Sequence, residues 1–156
     1  FNMEKLEKQY YTPTIEEFHV GFEYEDRYNK NSTEWFKSKF DFCDEEFEGD
    51  NLAIVNNYLK DSNVRVKFLD KEDIEECGWI NFNLDSVVCY TKVYKGKCWY
   101  LWYNGLPFIS INEGLIGNKF KATFQIYRGE CLNKSELKYL ENKLKIKDEI
   151  NQPNNQ

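Results

Sequence analysis

At 156 residues, the chain is long enough for one self-sufficient core, since folding at this size buries roughly 70% of the surface exposed when unfolded. Its 27 acidic and 21 basic residues leave a net charge of −6, which argues against a general affinity for nucleic acid, because phosphate contacts need a basic face. An aromatic share of 17% beside only two alanines, Ala53 and Ala122, favours strands over helices.

The five cysteines (Cys43, Cys77, Cys89, Cys98, Cys131) are odd in number and contain no C-x-x-C pair, so neither a disulfide framework nor a zinc site is expected. The first nine residues lack a charged stretch followed by an apolar one, and no window approaches 18 apolar residues. The expectation is a soluble, cytoplasmic protein without a signal peptide or membrane span. Phe1 and Asn2 precede the single methionine, Met3, and are read as a remnant ahead of the natural start. Residues 1–9 form an extension, 10–146 the expected single α+β domain, and 147–156 a polar, disordered tail.

Along the chain, Thr14 followed by Glu17 makes a capping-box pattern, which predicts a short helix over Ile15 to Phe18. From His19 to Asp26 the residues alternate, with Val20, Phe22 and Tyr24 on the buried side of a strand. A second strand, from Trp35 to about Phe42, is its expected hairpin partner. Leu52, Ile54, Val55, Tyr58 and Leu59 recur at helical spacing. Val64 to Phe68 alternates as a strand, and Asp70 to Gly78 has an acidic cap, an acidic first turn and a terminal glycine, which predicts a short helix.

From Trp79 the chain reads as an antiparallel meander, with strands near 79–84, 87–94, 97–103, 106–112 and 120–127. Asn104-Gly105 is the strongest turn signal, because both residues tolerate positive φ. A two-residue turn there pairs Leu101 with Phe108 on one face and Tyr100 with Ile109 on the other, which makes both faces apolar. The turn at Lys95-Gly96 leaves two registers open for strand 87–94. Asn133 then caps a C-terminal helix whose stripe of Leu137, Leu140 and Leu144 is placed to cover one meander face.

Chemical signatures are sparse. His19 shares its expected strand face with Glu23 and Glu25, but His19 and Glu23 stand roughly 13 Å apart at a rise of about 3.3 Å per residue, too far to share a metal. Glu23 and Glu25, roughly 6.6 Å apart by the same rise, match glycosidase spacing, yet in so acidic a chain they read as a solvated face. The cysteines read as core thiols, since one histidine with no linking motif cannot mark a nucleophile. Gly114 to Gly117, GLIG, lacks the Lys-Ser/Thr of a phosphate loop. No catalytic group, metal or cofactor is expected. The run from Asp41 to Asp50 holds six acids and no base, and such a ridge can occupy a basic groove on a nuclease or polymerase.

Three segments, TPTIEEFHVGFEYE at 12–25, VRVKFLDKEDIEECGW at 64–79 and GECLNKSELKYLENKLKI at 129–146, resemble a family of small uncharacterised proteins encoded by bacteriophages and integrated elements of Bacteroidota. The resemblance spans most of residues 10–146 and brings no known catalytic residue. It implies a host-takeover context, in which anti-CRISPR proteins act by binding a host protein. The function expected is therefore non-enzymatic binding that inhibits or modulates a host macromolecule in the cytoplasm of the infected host, with a CRISPR effector nuclease or its ribonucleoprotein as the leading partner. The surface expected to bind comprises Asp41, Asp44, Glu45, Glu46, Glu48 and Asp50, with Trp99 and Tyr103 of the meander. The alternatives are a single-stranded nucleic-acid module around Lys92 and Lys97, or a minor virion or assembly component.

Overall fold

The computed structural model describes residues 9–41, 51–82, 88–105, 107–115 and 123–147, and excludes the side chains of 51–54 and 115. The chain adopts the α+β class expected of it. It divides into two compact units, Phe1–Phe68 and Leu69–Gln156, with the boundary inside the stretch read as one domain.

In the first unit, strands β1 (Tyr10–Tyr11), β2 (Glu23–Asp26), β3 (Phe36–Lys39) and β4 (Val64–Lys67) form a sheet in the order β1-β4-β2-β3. All of its pairings are antiparallel, and the expected β2–β3 hairpin is present, with Glu23 opposite Lys39 and Asp26 opposite Phe36. A 3-10 turn covers Ile15–Glu17, with the Thr14 amide donating to Glu17 Oε2 at 2.7 Å. Helix α1 (Asn51–Lys60) buries Val55 of the predicted stripe, with Tyr58 and Leu59 packed alongside. The core joins Phe18, Phe22, Phe40, Val64 and Val66 to that stripe.

The strand expected from His19 begins four residues late. Gly21 sits at φ +88° and the Phe22 amide donates to His19 O at 2.9 Å, so residues 19–22 turn instead of extending. Val20 is exposed as a result, while Phe22 and Tyr24 keep the expected inward side.

The second unit opens with helix α2 (Lys71–Glu76), capped by the Asp70 side chain, which accepts from the Asp73 amide at 2.9 Å. A five-stranded antiparallel meander follows in sequence order: β5 (Ile80–Asn81), β6 (Cys89–Tyr94), β7 (Lys97–Tyr103), β8 (Phe108–Leu115) and β9 (Phe124–Glu130). Helix α3 (Lys134–Lys143) closes it, its N-cap Asn133 accepting from the Glu136 amide at 2.9 Å. The open register at the first turn resolves as Tyr94 opposite Lys97, with both Lys95 and Gly96 at positive φ. A left-handed lysine costs roughly 1–2 kcal/mol. In exchange, the pairing sets Tyr90 and Lys92 beside Leu101 and Trp99 on one face.

The second turn departs from expectation. The β7–β8 pairing is Tyr103 with Ile109 and Leu101 with Ile111, three residues away from what a tight Asn104-Gly105 turn would give. An odd shift exchanges the faces of β8. Ile109 and Ile111 therefore join Trp99, Leu101 and Tyr103, and all five are buried. Burying two isoleucines is worth roughly 1.5–3 kcal/mol each, more than the ~1 kcal/mol over which local strand preferences range. Pro107 has no amide to give the ladder, and its carbonyl accepts from the Cys131 amide at 3.1 Å. Between Ile111 and Asn112 the β8–β9 register shifts, so that Ile126 is the extra residue of a bulge and packs on the core.

The two meander faces are therefore unlike. One is sealed by Ile74 of α2 and by Leu137, Leu140 and Leu144 of the α3 end of the chain. The other carries Ser110 and Asn112 from β8 between Tyr100 and Trp102 of β7. Ile109→Ala and Ile111→Ala should each cost about 2–5 kcal/mol in urea unfolding. Ser110→Ala on the opposite face should stay within about 0.5 kcal/mol of the parent. Equal costs at positions 110 and 111 would reject this register.

Candidate binding surface

The second face of the meander gathers residues whose strand parity points them away from α2 and α3. Ile80 and Phe82 come from β5 and the residue after it, Val93 from β6, Tyr100 and Trp102 from β7, and Phe108 from β8. Ile80, Phe82, Val93 and Phe108 are between 40% and 68% exposed. Tyr100 and Trp102 are half-buried in the middle of the face. Isolated exposed apolar residues are ordinary, and on this face Thr91 and the buried Cys89 and Cys98 stand between them; what sets the face apart is that four large apolar side chains are exposed on it together with Tyr100 and Trp102. Arg128 lies 5.9 Å from the Phe108 ring centre at its edge.

Trp99 and Tyr103, expected on the partner-facing surface, are not on it. They are buried at 2% and 6% exposure on the sealed face, and the Tyr103 hydroxyl donates to Leu69 O at 2.6 Å. Of the acidic run, Asp41 is exposed at the end of the first hairpin. Asp44, Glu45, Glu46, Glu48 and Asp50 lie outside the described residues. The charge itself is unevenly divided: 15 acids face 9 bases up to Phe68, and 12 face 12 beyond it. The whole excess belongs to the first unit.

Lys92 also leaves the surface. It is 4% exposed, and its Nζ lies 2.9 Å from Glu141 Oε1 and 5.2 Å from the Trp79 ring centre. Trp79 Nε1 donates to that same oxygen. This group ties α3 to the sheet through the core and removes Lys92 from any nucleic-acid platform. The signal for it was present: Glu141 falls on the same helical stripe as Leu137 and Leu144, where a carboxylate has to be paired. Lys92→Met, which takes the countercharge from the buried Glu141 carboxylate, should cost about 3–5 kcal/mol, and Lys92→Met/Glu141→Leu should recover most of that loss in urea unfolding. Tyr90 makes a contrast. Its buried hydroxyl has no hydrogen-bond partner among the described residues, so Tyr90→Phe should leave stability unchanged or raise it.

His19, read on a strand with Glu23 and Glu25, lies in the turn, its Nδ1 3.0 Å from Glu17 O. Among the described residues no three metal-ligating side chains cluster, and no helix is long and apolar enough to cross a membrane. Cys77, Cys89, Cys98 and Cys131 are free and buried; Cys77 and Cys131 belong to the core as expected, while Cys89 and Cys98 are buried on the face that carries Tyr100 and Trp102. Burial pushes Cys77 and Cys89 up to about 11, with the Glu141 charge adding to the effect at Cys77. Burial raises Cys131 as well. A protonated thiol is a poor nucleophile. Against known protein families, curated proteins and solved structures, the chain finds no match.

The raised thiols set an alkaline limit. Below about pH 9, their ordinary value, they are protonated whether the chain is folded or not and add no slope. Between about 9 and 11 the unfolded chain ionises first, so stability falls as pH rises. Urea midpoints at pH 8 and pH 10.5 should show that loss, and Cys77→Ala/Cys89→Ala should reduce it.

Proposed function

We propose that this is a non-enzymatic, phage-type protein that binds and inhibits a host protein in the bacterial cytoplasm. A CRISPR effector nuclease is the partner that the resemblance and the acidic balance favour. The observation that carries the binding reading is the second meander face, where Ile80, Phe82, Val93 and Phe108 stand exposed beside Tyr100 and Trp102. Half-buried aromatic anchors flanked by Thr91, Ser110 and Asn112, with exposed apolar groups further out on the same face, suit a protein interface, in which a few such residues supply most of the binding energy. The acid excess of the first unit suits a partner whose nucleic-acid channel is basic, because complementary charge raises the association rate and discriminates among partners.

The protein, mixed with CRISPR effector ribonucleoproteins from Bacteroidota, should co-elute with one of them and block target cleavage. Ile80→Glu/Val93→Glu alters exposed positions and should leave the melting temperature within a few degrees while weakening inhibition tenfold or more. Reversing Asp44, Glu45, Glu46 and Glu48 to Lys should slow association, and more so at low salt. Undiminished cleavage in the presence of the parent protein would reject the nuclease partner.

A further inference from the structure

The first sheet has a face that runs against the charge of the chain. Register places Lys37 and Lys39 of β3 opposite Glu25 and Glu23 of β2, Arg65 of β4 opposite Glu25, and Lys67 of β4 opposite Tyr10 of β1. In an antiparallel sheet directly opposed residues share a face. Arg27 and Trp35, one step beyond β2 and β3, share it too, with the guanidinium 4.7 Å from the indole centre. This outer face therefore carries five cations, Arg27, Lys37, Lys39, Arg65 and Lys67, against two carboxylates, Glu23 and Glu25. Asp41 lies past the end of the strand. Phe22, Phe40, Val64 and Val66 fill the opposite face.

Across this face runs a stack of alternating rings and guanidinium groups. Arg65 lies 3.8 Å from the Tyr10 ring centre and 4.2 Å from that of Trp35, and Arg27 continues beyond Trp35. Both arginines are held in place. Arg65 reaches the Glu25 carboxylate at 3.4 Å, and Arg27 donates to Asn63 Oδ1 at 3.1 Å and to Ser62 O at 3.3 Å. Arg65 and Trp35 are enclosed within the stack, so its ends, the outer sides of Tyr10 and Arg27, are what it offers to bases. Beside them Lys37 and Lys39 are exposed, placed to meet phosphates.

We propose that this outer face is a binding site for single-stranded nucleic acid, with bases on the Tyr10 and Arg27 ends of the stack and the phosphate backbone along Lys37 and Lys39. The site is separate from the meander face and does not depend on it. Its net positive charge, within a unit that holds the chain's whole acid excess, is the complementarity that selects a polyanion. The aromatic stack selects a single strand over a duplex, whose bases are already stacked on one another.

The test is fluorescence anisotropy of the full chain with labelled 12-mers of uridine and of deoxythymidine, and with a 12-base-pair duplex, from 50 to 300 mM salt. The expected result is single-strand binding that weakens with salt at a slope of about −0.7 per phosphate contact, with the duplex at least tenfold weaker. Lys37→Glu/Lys39→Glu should lose tenfold or more, whereas Lys143→Glu/Lys147→Glu in the second unit should lose nothing. The single strand should also quench tryptophan fluorescence, and Trp35→Leu should remove that quenching with its circular dichroism unchanged. No binding at 50 mM salt, equal binding of the duplex, or equal loss in the two lysine pairs would overturn the proposal. Inhibition of a nuclease through Ile80 and Val93 would stand or fall independently of these outcomes.

Discussion

The second unit depends on a parity. Side chains of a strand alternate with period two, so the pairing of β7 with β8 decides as a whole which residues of β8 meet Leu101 and which meet Tyr100. With Tyr103 opposite Ile109, the isoleucines join the sealed side and Ser110 and Asn112 take the other. That division makes one face a core and the other a surface. Had the Asn104-Gly105 dipeptide set the register, both faces would be apolar and both would need cover. Burial of two branched side chains outweighs a local turn preference, and the chain between Tyr103 and Ile109 lengthens to suit.

The sealed face is not purely apolar. Lys92, Glu141 and Trp79 meet inside it, and such a group adds little net stability beyond a well-packed apolar substitute. What it adds is orientation. A carboxylate on α3 that must meet a lysine from β6 and an indole ahead of β5 fixes where along the sheet the helix lies, which leucine packing alone would leave freer to slide. The Lys134–Glu76 ion pair between α3 and α2 acts at the exposed end of the same helix and is worth less, being in water.

Much of the architecture was legible in local pattern. The Asp70 cap, the Asn133 cap, the Val64–Lys67 alternation and the Leu137 stripe each name an element whose determinants lie within a few residues, and each is present. What was illegible depends on partners distant in sequence. Nothing near Lys92 announces a carboxylate 49 residues on, and nothing near Trp99 tells which side of its strand α3 will cover. Gly21 misled in a different way: its residue alternates correctly in sequence, while its backbone turns. The candidate surface was legible as the apolar strands of the meander, but Trp99 and Tyr103 were chosen from them on the wrong side. The basic stack of the first unit was missed because its cations come from three strands, and only pairing brings them together.

Strand β3 ends the four-stranded order, and an edge strand offers its backbone to any chain that can extend the sheet. A second copy adding its own β3 would bring four lysines into one short stretch of ladder. Two unit charges about 5 Å apart repel by roughly 1 kcal/mol in water and more near a protein surface. Lys37 and Lys39 thus discourage the molecule from polymerising edge to edge, whatever else they hold. A substitution that made this strand neutral would remove that guard and leave the edge open to pairing with a second copy.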